Sequence, residues 1–473
     1  MSTRTGAPSR ARTRSSRRAG SRSASPTPRA SGLERALDEA AATVPPSRSF
    51  ADLGLSGALV ARLAEQGIEQ PTEVQNRTIP DALSGRDVLG RAQTGSGKTL
   101  AFGLPLVSRL AAESRPASPR HPRALILTPT RELAQQVADS VGPMASAVGL
   151  SVVAVYGGAS MGPQTKALQR GVDIVVATPG RLEDHIERGT CSLSRVAVFV
   201  IDEADHMADL GFLPSVTRIF RAIPAPAQRL LFSATLDRGI ERVARDHLTD
   251  PAIHSASVGT PAAATMQHRA FTLDRSQKVD VAAKVAGRHG RTLFFVRTKH
   301  GADRLAKQLR QRGIESGAIH GNRNQNQRTR ALAEFTAGRR PVLVATDVAA
   351  RGIHVDGVDL VVHYDPPADH KDYLHRSGRT ARAGRDGLVL SLLLPEEQHQ
   401  HSRMHRGTAS DHTTVRVDHP DHPEVLDVAA GGTPLVVEAA PPPPVSDQPS
   451  RGVRRSRPTR RARGRGRGGR SSR

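Results

Sequence analysis

Cysteine is almost missing from this chain. The single Cys191 excludes an internal disulfide framework and a thiolate-cluster metal site, so a reducing compartment is expected and the thiol itself is expected to be inert. Long apolar runs are missing as well. The longest, such as Val196 to Ile201 and Leu388 to Leu394, are strand-sized and far short of the roughly 20 residues a membrane span needs, so no membrane association is expected. No acidic residue precedes Glu34, which superficially fits an organelle transit peptide. Pro8, Pro26 and Pro28 interrupt that stretch, it has no apolar helical face, and the opposite end of the chain has the same Arg-rich character. Residues 1–47 and 396–473 lack the apolar periodicity that offsets chain entropy, and both are expected to be disordered tails.

What is there begins with charge. Across 473 residues the formal net charge is +23, which favours a polyanionic partner, nucleic acid ahead of an acidic membrane surface. At about 150 residues per domain the length suggests two or three units. Between the tails, continuous apolar runs alternate with helical patterns. Ala124 to Thr128, Asp173 to Ala177, Val196 to Asp202 and Arg229 to Ser233 read as strands covered on both faces, hence parallel. The pattern restarts with Thr292 to Val296, Pro341 to Thr346, Leu360 to Tyr364 and Leu388 to Leu393. The expected fold is α/β: two doubly wound parallel-sheet domains in tandem, over 48–255 and 265–395. Small and turn-forming residues from about Asp250 to Thr265 supply the linker, assigned to 256–264, with a cleft between the domains.

The segment Ala92-Gln93-Thr94-Gly95-Ser96-Gly97-Lys98-Thr99 follows a short strand-like stretch, Asp87 to Leu89, and opens the helical Leu100 to Leu110. Strand, glycine-rich loop and helix make a phosphate cradle. Glycines let backbone N–H groups curl round phosphate oxygens, Lys98 reaches the terminal phosphates and the Thr99 hydroxyl can ligate Mg²⁺. Ala92 stands where the generic motif has its first glycine. Downstream, the apolar Val198 to Ile201 delivers Asp202-Glu203-Ala204-Asp205 to a strand C-terminus, where ligands bind open α/β sheets. One carboxylate there can hold Mg²⁺ while its neighbour orients or deprotonates the attacking water.

Over roughly residues 50 to 395 the chain resembles the DEAD-box RNA helicases. The resemblance rests on ordered motifs. In the first domain these are Phe50, Pro71-Thr72-Glu73-Val74-Gln75, the phosphate loop, Pro129-Thr130-Arg131-Glu132-Leu133-Ala134, Gly157-Gly158, Thr178-Pro179-Gly180-Arg181, the Asp202 to Asp205 tetrad and Ser233-Ala234-Thr235. In the second they are Phe295-Val296-Arg297-Thr298, Gln325 with Arg328, Ala345 to Gly352, and His375-Arg376-Ser377-Gly378-Arg379-Thr380-Ala381-Arg382-Ala383-Gly384.

The resemblance implies two RecA-like domains that hydrolyse ATP with Mg²⁺ and remodel RNA. Gln75 would read the adenine edge with Phe50 against the base, and the loop from Ala92 to Thr99 together with Asp347 would hold the nucleotide. Thr99 and Asp202 would take Mg²⁺. Lys98, Asp202, Glu203, Arg379 and Arg382 would be catalytic, the two arginines reaching the γ-phosphate from the second domain. Single-stranded or short duplex RNA would lie on Arg131, Gly157, Gly158, Thr178, Pro179 and Arg181 on one side and Arg297, Gly321, Thr346 and Gly352 on the other. Such residue types grip sugar and phosphate and carry no sequence code. Asp205, Ser233, Thr235 and His375 would couple the nucleotide and RNA sites. His354 departs from the pattern, standing where the family usually carries Asp, and this implies an altered ATP affinity.

Beyond the resemblance, the flexible guanidinium string from Arg463 to Arg470 suits non-specific RNA tethering. The irregular histidines between His399 and His422 are expected to be solvated. Arg far outnumbers Lys and Ala is abundant, which points to a GC-rich bacterial source and so to a cytoplasmic protein. A monomeric core is expected, with ribonucleoprotein or ribosome-assembly components as further partners. Two alternatives are a DNA translocase and an RNA-clamping scaffold.

Overall fold

The structure is a computed structural model and describes residues 32–43, 46–93, 95–113, 115–256, 266–350, 357–381, 386–405 and 413–435. It contains two seven-stranded sheets. The first is built from β1 (Val88–Arg91), β2 (Ala124–Leu127), β3 (Val152–Val155), β4 (Ile174–Ala177), β5 (Val198–Ile201), β6 (Gln228–Ser233) and β7 (Ala252–Ser255), in the order β3-β4-β2-β5-β6-β1-β7. The second is built from β8 (Met266–Thr272), β9 (Arg291–Phe295), β10 (Ser316–Ile319), β11 (Val342–Ala345), β12 (Val358–His363), β13 (Gly387–Leu393) and β14 (Thr413–Arg416), in the order β10-β11-β9-β12-β13-β8-β14. Every pairing is parallel.

Continuous apolarity is the cause. Strands such as Ala-Leu-Ile-Leu in β2 and Val-Phe-Val-Ile in β5 have no polar face to show water, so helices cover both sides. One core lies on each face of each sheet: Phe102, Val200 and Phe232 against Phe199, Leu231 and Ile240 in the first domain, and Phe271 and Phe294 against Phe295 and Phe335 in the second. No helix among the described residues is long and apolar enough to cross a membrane.

The eight runs read from the sequence as buried strands all form strands, and so does the short stretch before the phosphate loop. The strands not anticipated, β3, β7, β8, β10 and β14, lie at or next to the sheet edges, where residues such as the exposed Gln267 and half-buried His268 blur the apolar run. Two boundaries are corrected. Residues 32–42, expected inside a disordered tail, form the helix Gly32–Ala42 with Leu37 fully buried, because Leu33 and Leu37 fall one helical turn apart and meet the first domain. The second domain does not stop at 395. The helix Gln398–Met404, the strand β14 beside β8, and the helix Pro423–Ala430 packed on Lys278–Ala286 belong to it, and Val425 and Val428 enter its core. The assigned linker begins in described chain at Ala256, while 257–265 and the tails 1–31 and 436–473 lie outside the described residues.

Candidate ATP and RNA site

Because all strands of a sheet run the same way, every functional loop leaves the sheet on the same edge. In the first domain β5, β6 and β1 are neighbours, which gathers the phosphate loop, the Asp202 tetrad and Ser233-Ala234-Thr235 although they are separated widely in sequence. The other neighbours β3, β4 and β2 present Gly157-Gly158, Thr178-Pro179 and Arg131. Arg297, Gly321 and Thr346 leave the contiguous β9, β10 and β11 in the same way.

The phosphate loop has the backbone its glycines were expected to allow. Gly95 and Gly97 sit at φ +88° and +94°, and a Cβ on Gly97 would come within 2.6 Å of Gln75 Nε2. Lys98 opens the helix Lys98–Ala112, and Ala92 receives its register from β6, its N–H donating to the Ser233 carbonyl. Lys98 Nζ lies 4.0 Å from Asp202 Oδ1; both are buried and neither atom has a hydrogen-bond partner. Two orphaned buried groups of opposite sign are costly unless something bridges them. Burial pushes the Asp202 carboxyl up to about 7, against the pull of Lys98 and with Glu203 adding like charge. A phosphate for Lys98 and a divalent cation for Asp202 would supply the missing partners, so the donor set fits Mg²⁺-nucleotide. The Thr99 hydroxyl-bearing side chain, half-buried on the next residue, completes that set.

Glu203 is held at φ +53°, a left-handed conformation that a non-glycine residue adopts at a cost of order 1 kcal/mol, and its Oε2 meets His206 Nδ1 at 3.2 Å. Asp205 is tied elsewhere. Its Oδ2 accepts from the Thr235 N–H and hydroxyl at 2.9 and 3.0 Å, its own N–H donates to Ser233 Oγ at 3.2 Å, and that hydroxyl donates to the Thr235 carbonyl at 2.7 Å. These bonds tie the tetrad to the Ser233 segment.

Gln75 does not stand free. It accepts from the Thr72 N–H and donates from Nε2 to the Gly97 carbonyl at 3.0 Å, joining its helix Glu73–Leu83 to the phosphate loop. Phe50, only 2% exposed, is part of the core beneath. The Arg131 guanidinium lies over Gly157-Gly158, where a Cβ on Gly158 would meet its Nη1 at 2.0 Å. Thr178 stands just before the helix Pro179–Glu187, and Arg181 on that helix reaches the Ala159 carbonyl at 3.3 Å, which ties it to the loop after Gly157-Gly158.

In the second domain Arg297 is exposed and its N–H donates to Asp365, whereas Asp347 is occupied: Arg376 Nε and Nη2 donate to its two oxygens at 2.6 and 2.8 Å. His375 lies half-buried on the helix His370–Ser377, and Arg379 is buried just beyond it. Thr94, Gly352, His354 and Arg382 lie outside the described residues.

Three contacts were not assigned from the sequence. Glu132 Oε1 accepts from Gln325 Nε2 at 2.9 Å and Arg328 Nε at 2.7 Å across the domain boundary, and Lys371 Nζ lies 2.7 Å from Asp209. Gln325 and Arg328 were visible as a motif; nothing in the sequence paired them with Glu132. The expectation of solvated histidines between His399 and His422 holds at His399 and His419, which are exposed, and is corrected at two positions. His401 and His405 are buried, and Tyr373 packs against His363, His370 and His405, because the helix Gln398–Met404 folds back onto the second domain.

Residues 72–243 match the family model described as DEAD/DEAH box helicase, and residues 277–384 match the helicase conserved C-terminal domain. The chain is 41% identical over 353 residues to DEAD-box ATP-dependent RNA helicase 30 of Arabidopsis thaliana, covering 73% of this chain and 59% of that relative. It is 39% identical over 352 residues to the DEAD-box ATP-dependent RNA helicase CshA of Bacillus subtilis, covering 74% of this chain and 70% of that one. Among solved structures, S. cerevisiae Dbp5 bound to RNA and ADP BeF3 superposes with a TM-score of 0.71 at 29% identity, covering 80% of this chain and 98% of that one. The strand-end loops, their order and these likenesses converge on one statement: the chain belongs to the DEAD-box ATP-dependent RNA helicase family.

Proposed function

We propose that the chain is an RNA-dependent ATPase that couples ATP binding and hydrolysis to separation of short RNA duplexes or removal of protein from RNA. The observation that carries this reading is the pair of buried groups without a hydrogen-bond partner, Lys98 Nζ and Asp202 Oδ1, 4.0 Å apart beyond the ends of β1 and β5, on the same edge of the sheet as loops of the type that grips sugar and phosphate. Loop amides and Lys98 hold the β- and γ-phosphates, Gln75 meets the adenine edge from a helix already bonded to the loop, and Thr99 and Asp202 hold Mg²⁺. Bound there, the cation would supply positive charge beside the phosphate oxygens. Glu203 orients the water whose oxygen bonds to the γ-phosphorus as the bridging bond to ADP breaks, and the water proton passes to that carboxylate. Arg379 and Arg382 stabilise the transferring phosphoryl group when the domains close.

RNA crosses both domains along Arg131, Gly157, Gly158, Thr178, Pro179 and Arg181 and along Arg297, Gly321, Thr346 and Gly352. Asp205, Ser233, Thr235 and His375 transmit closure between the sites, and Asp347 acts through the Arg376 pair that orients the arginine-bearing helix. Ribonucleoprotein or ribosome-assembly components are the partners this reading favours, in a bacterial cytoplasm.

The test is steady-state ATPase activity with no nucleic acid, with single-stranded RNA and with the same sequence as DNA. Stimulation by RNA alone, lost by about 10²- to 10⁴-fold in Glu203→Gln, supports the reading. Equal stimulation by DNA replaces it with a translocase, and stable RNA binding without turnover replaces it with a scaffold.

A further inference from the structure

The helix Gly32–Ala42 lies outside both segments matched by the family models, yet it touches two elements of the nucleotide site. It packs along β7 with Leu37 fully buried. At its C-terminal end the Arg77 guanidinium caps the chain, Nη1 donating to the Ala40 carbonyl at 2.8 Å and Nη2 to the Thr43 carbonyl. A cation at those last carbonyls satisfies groups that have no partner within the helix and complements its dipole. Arg77 is itself buried and held by Glu73, with Nε to Oε1 at 3.0 Å. It sits on the helix Glu73–Leu83, two residues beyond Gln75, whose side chain bonds to Gly97 of the phosphate loop. Asp38 of the same N-terminal helix lies 2.7 Å from Arg91 Nη2, and Arg91 ends β1 and immediately precedes Ala92. Arg91 is also fastened to β7, its Nε donating to Ser255 Oγ at 3.0 Å.

We propose that the helix Gly32–Ala42 is a positioning element for nucleotide binding, fastening the Gln75 helix through Arg77 and the strand that feeds the phosphate loop through Arg91. Arg77 touches no substrate; it is a positioning residue. The far end of its helix is already tied to β7, where Asp81 meets His254 at 2.9 Å, so the N-terminal helix governs the end that carries Gln75. Undocking it leaves Lys98, Glu203 and the RNA-facing residues in place and relaxes the orientation of Gln75 and of the loop backbone at Gly97 toward the base. ATP affinity then falls while the rate at saturating ATP does not. The inference rests on reading Gln75 as the adenine contact.

The experiment uses the full chain and measures RNA-stimulated ATPase activity against ATP concentration, with thermal unfolding to show that each variant folds. Leu37→Ser, which undocks the helix without touching the first domain's own residues, is expected to raise KM for ATP about three- to tenfold, with kcat and the RNA concentration for half-stimulation within about twofold of the parent. Arg77→Ala is expected to raise KM as well, and the double variant to do no more than Leu37→Ser alone, since undocking the helix already removes the Arg77 contacts. Gln75→Ala serves as the reference. If it raises KM while Leu37→Ser and Arg77→Ala leave KM unchanged, the inference is overturned and the Gln75 reading stands. If Gln75→Ala is silent but Leu37→Ser raises KM, the Gln75 reading fails and the helix acts through Arg91 and the loop. If Leu37→Ser lowers kcat and KM together, the helix serves folding or closure and the inference is overturned.

Discussion

At the strand ends of the first domain, Lys98, Asp202, Glu203 and Asp205 are all buried, and Lys98 Nζ and Asp202 Oδ1, 4.0 Å apart, have no hydrogen-bond partner. At the corresponding end of the second domain Arg376 is just as deeply buried, but it donates to both oxygens of Asp347 and to the Asp365 carbonyl at 2.7 Å, and it lies 5.2 Å over the Phe295 ring. One domain keeps a socket of unsatisfied charge, and the other holds its cation locked in place. The difference teaches how the work is divided. A socket must be completed by a ligand, so it belongs where nucleotide binds. In the proposed mechanism a pre-oriented guanidinium network belongs on the piece that closes over the nucleotide, because positioning it beforehand removes the entropy of doing so at closure.

That comparison can be broken most forcefully at the socket. Lys98→Ala should reduce RNA-stimulated ATP hydrolysis by about 10³-fold while thermal unfolding stays near the parent value, since its ammonium makes no hydrogen bond before nucleotide binds. A large loss of stability instead would mean that the lysine is structural. The opposite is expected at Arg376, where Arg376→Ala leaves Asp347 without its buried partner. It should destabilise the second domain by about 3 kcal/mol, seen in denaturant unfolding as an earlier transition for that domain alone. An unshifted transition would show that the pair is not a lock.

A smaller effect sharpens the link between the two regions. Glu132→Gln keeps the side chain's size but removes the charge that receives Gln325 and Arg328, and should weaken RNA stimulation about tenfold without changing ATPase activity in the absence of RNA. Equal loss with and without RNA would deny it an interdomain role.

The last test is pH. Burial holds the His363 imidazole well below its ordinary range, with the charges of Arg376, His401, His268 and His405 adding to the effect; Ser391 Oγ and the Tyr373 ring are its other neighbours. The unfolded chain takes up a proton near pH 6.5 and the folded one resists it. Stability is therefore retained above that pH and lost as pH falls below it. The second domain's unfolding midpoint should drop between pH 7.5 and 5.5, and His363→Gln should flatten the drop. An identical drop in that variant would assign the effect to other groups.

Central strands were legible in the sequence because a segment buried on both faces has to be apolar throughout, as in Ala124 to Leu127 or Val198 to Ile201. The site was legible for a related reason: glycine at φ near +90° and a lysine at a helix start are local requirements written at fixed spacing. What stayed hidden was long-range. The segment Gly32–Ala42 has only Leu33 and Leu37 to show, and its helix gains support from Arg77 and Arg91, which lie 37 residues beyond Ala40 in the first case and 53 beyond Asp38 in the second. The C-terminal histidines looked solvated because nothing near them in sequence buries them; Tyr373 does.

The sequence by itself thus determined two parallel α/β domains, the chemistry at their strand ends and the order of the motifs, since these follow from local conformation and from which residues must avoid water. Only the tertiary structure decided which buried charges are paired and which wait, that Glu132 is the first domain's receptor for Gln325 and Arg328, that residues 32–42 belong to the nucleotide-binding domain, and that the second domain continues past residue 395. Those outcomes depend on distance in space between groups far apart along the chain, and no local pattern encodes that distance.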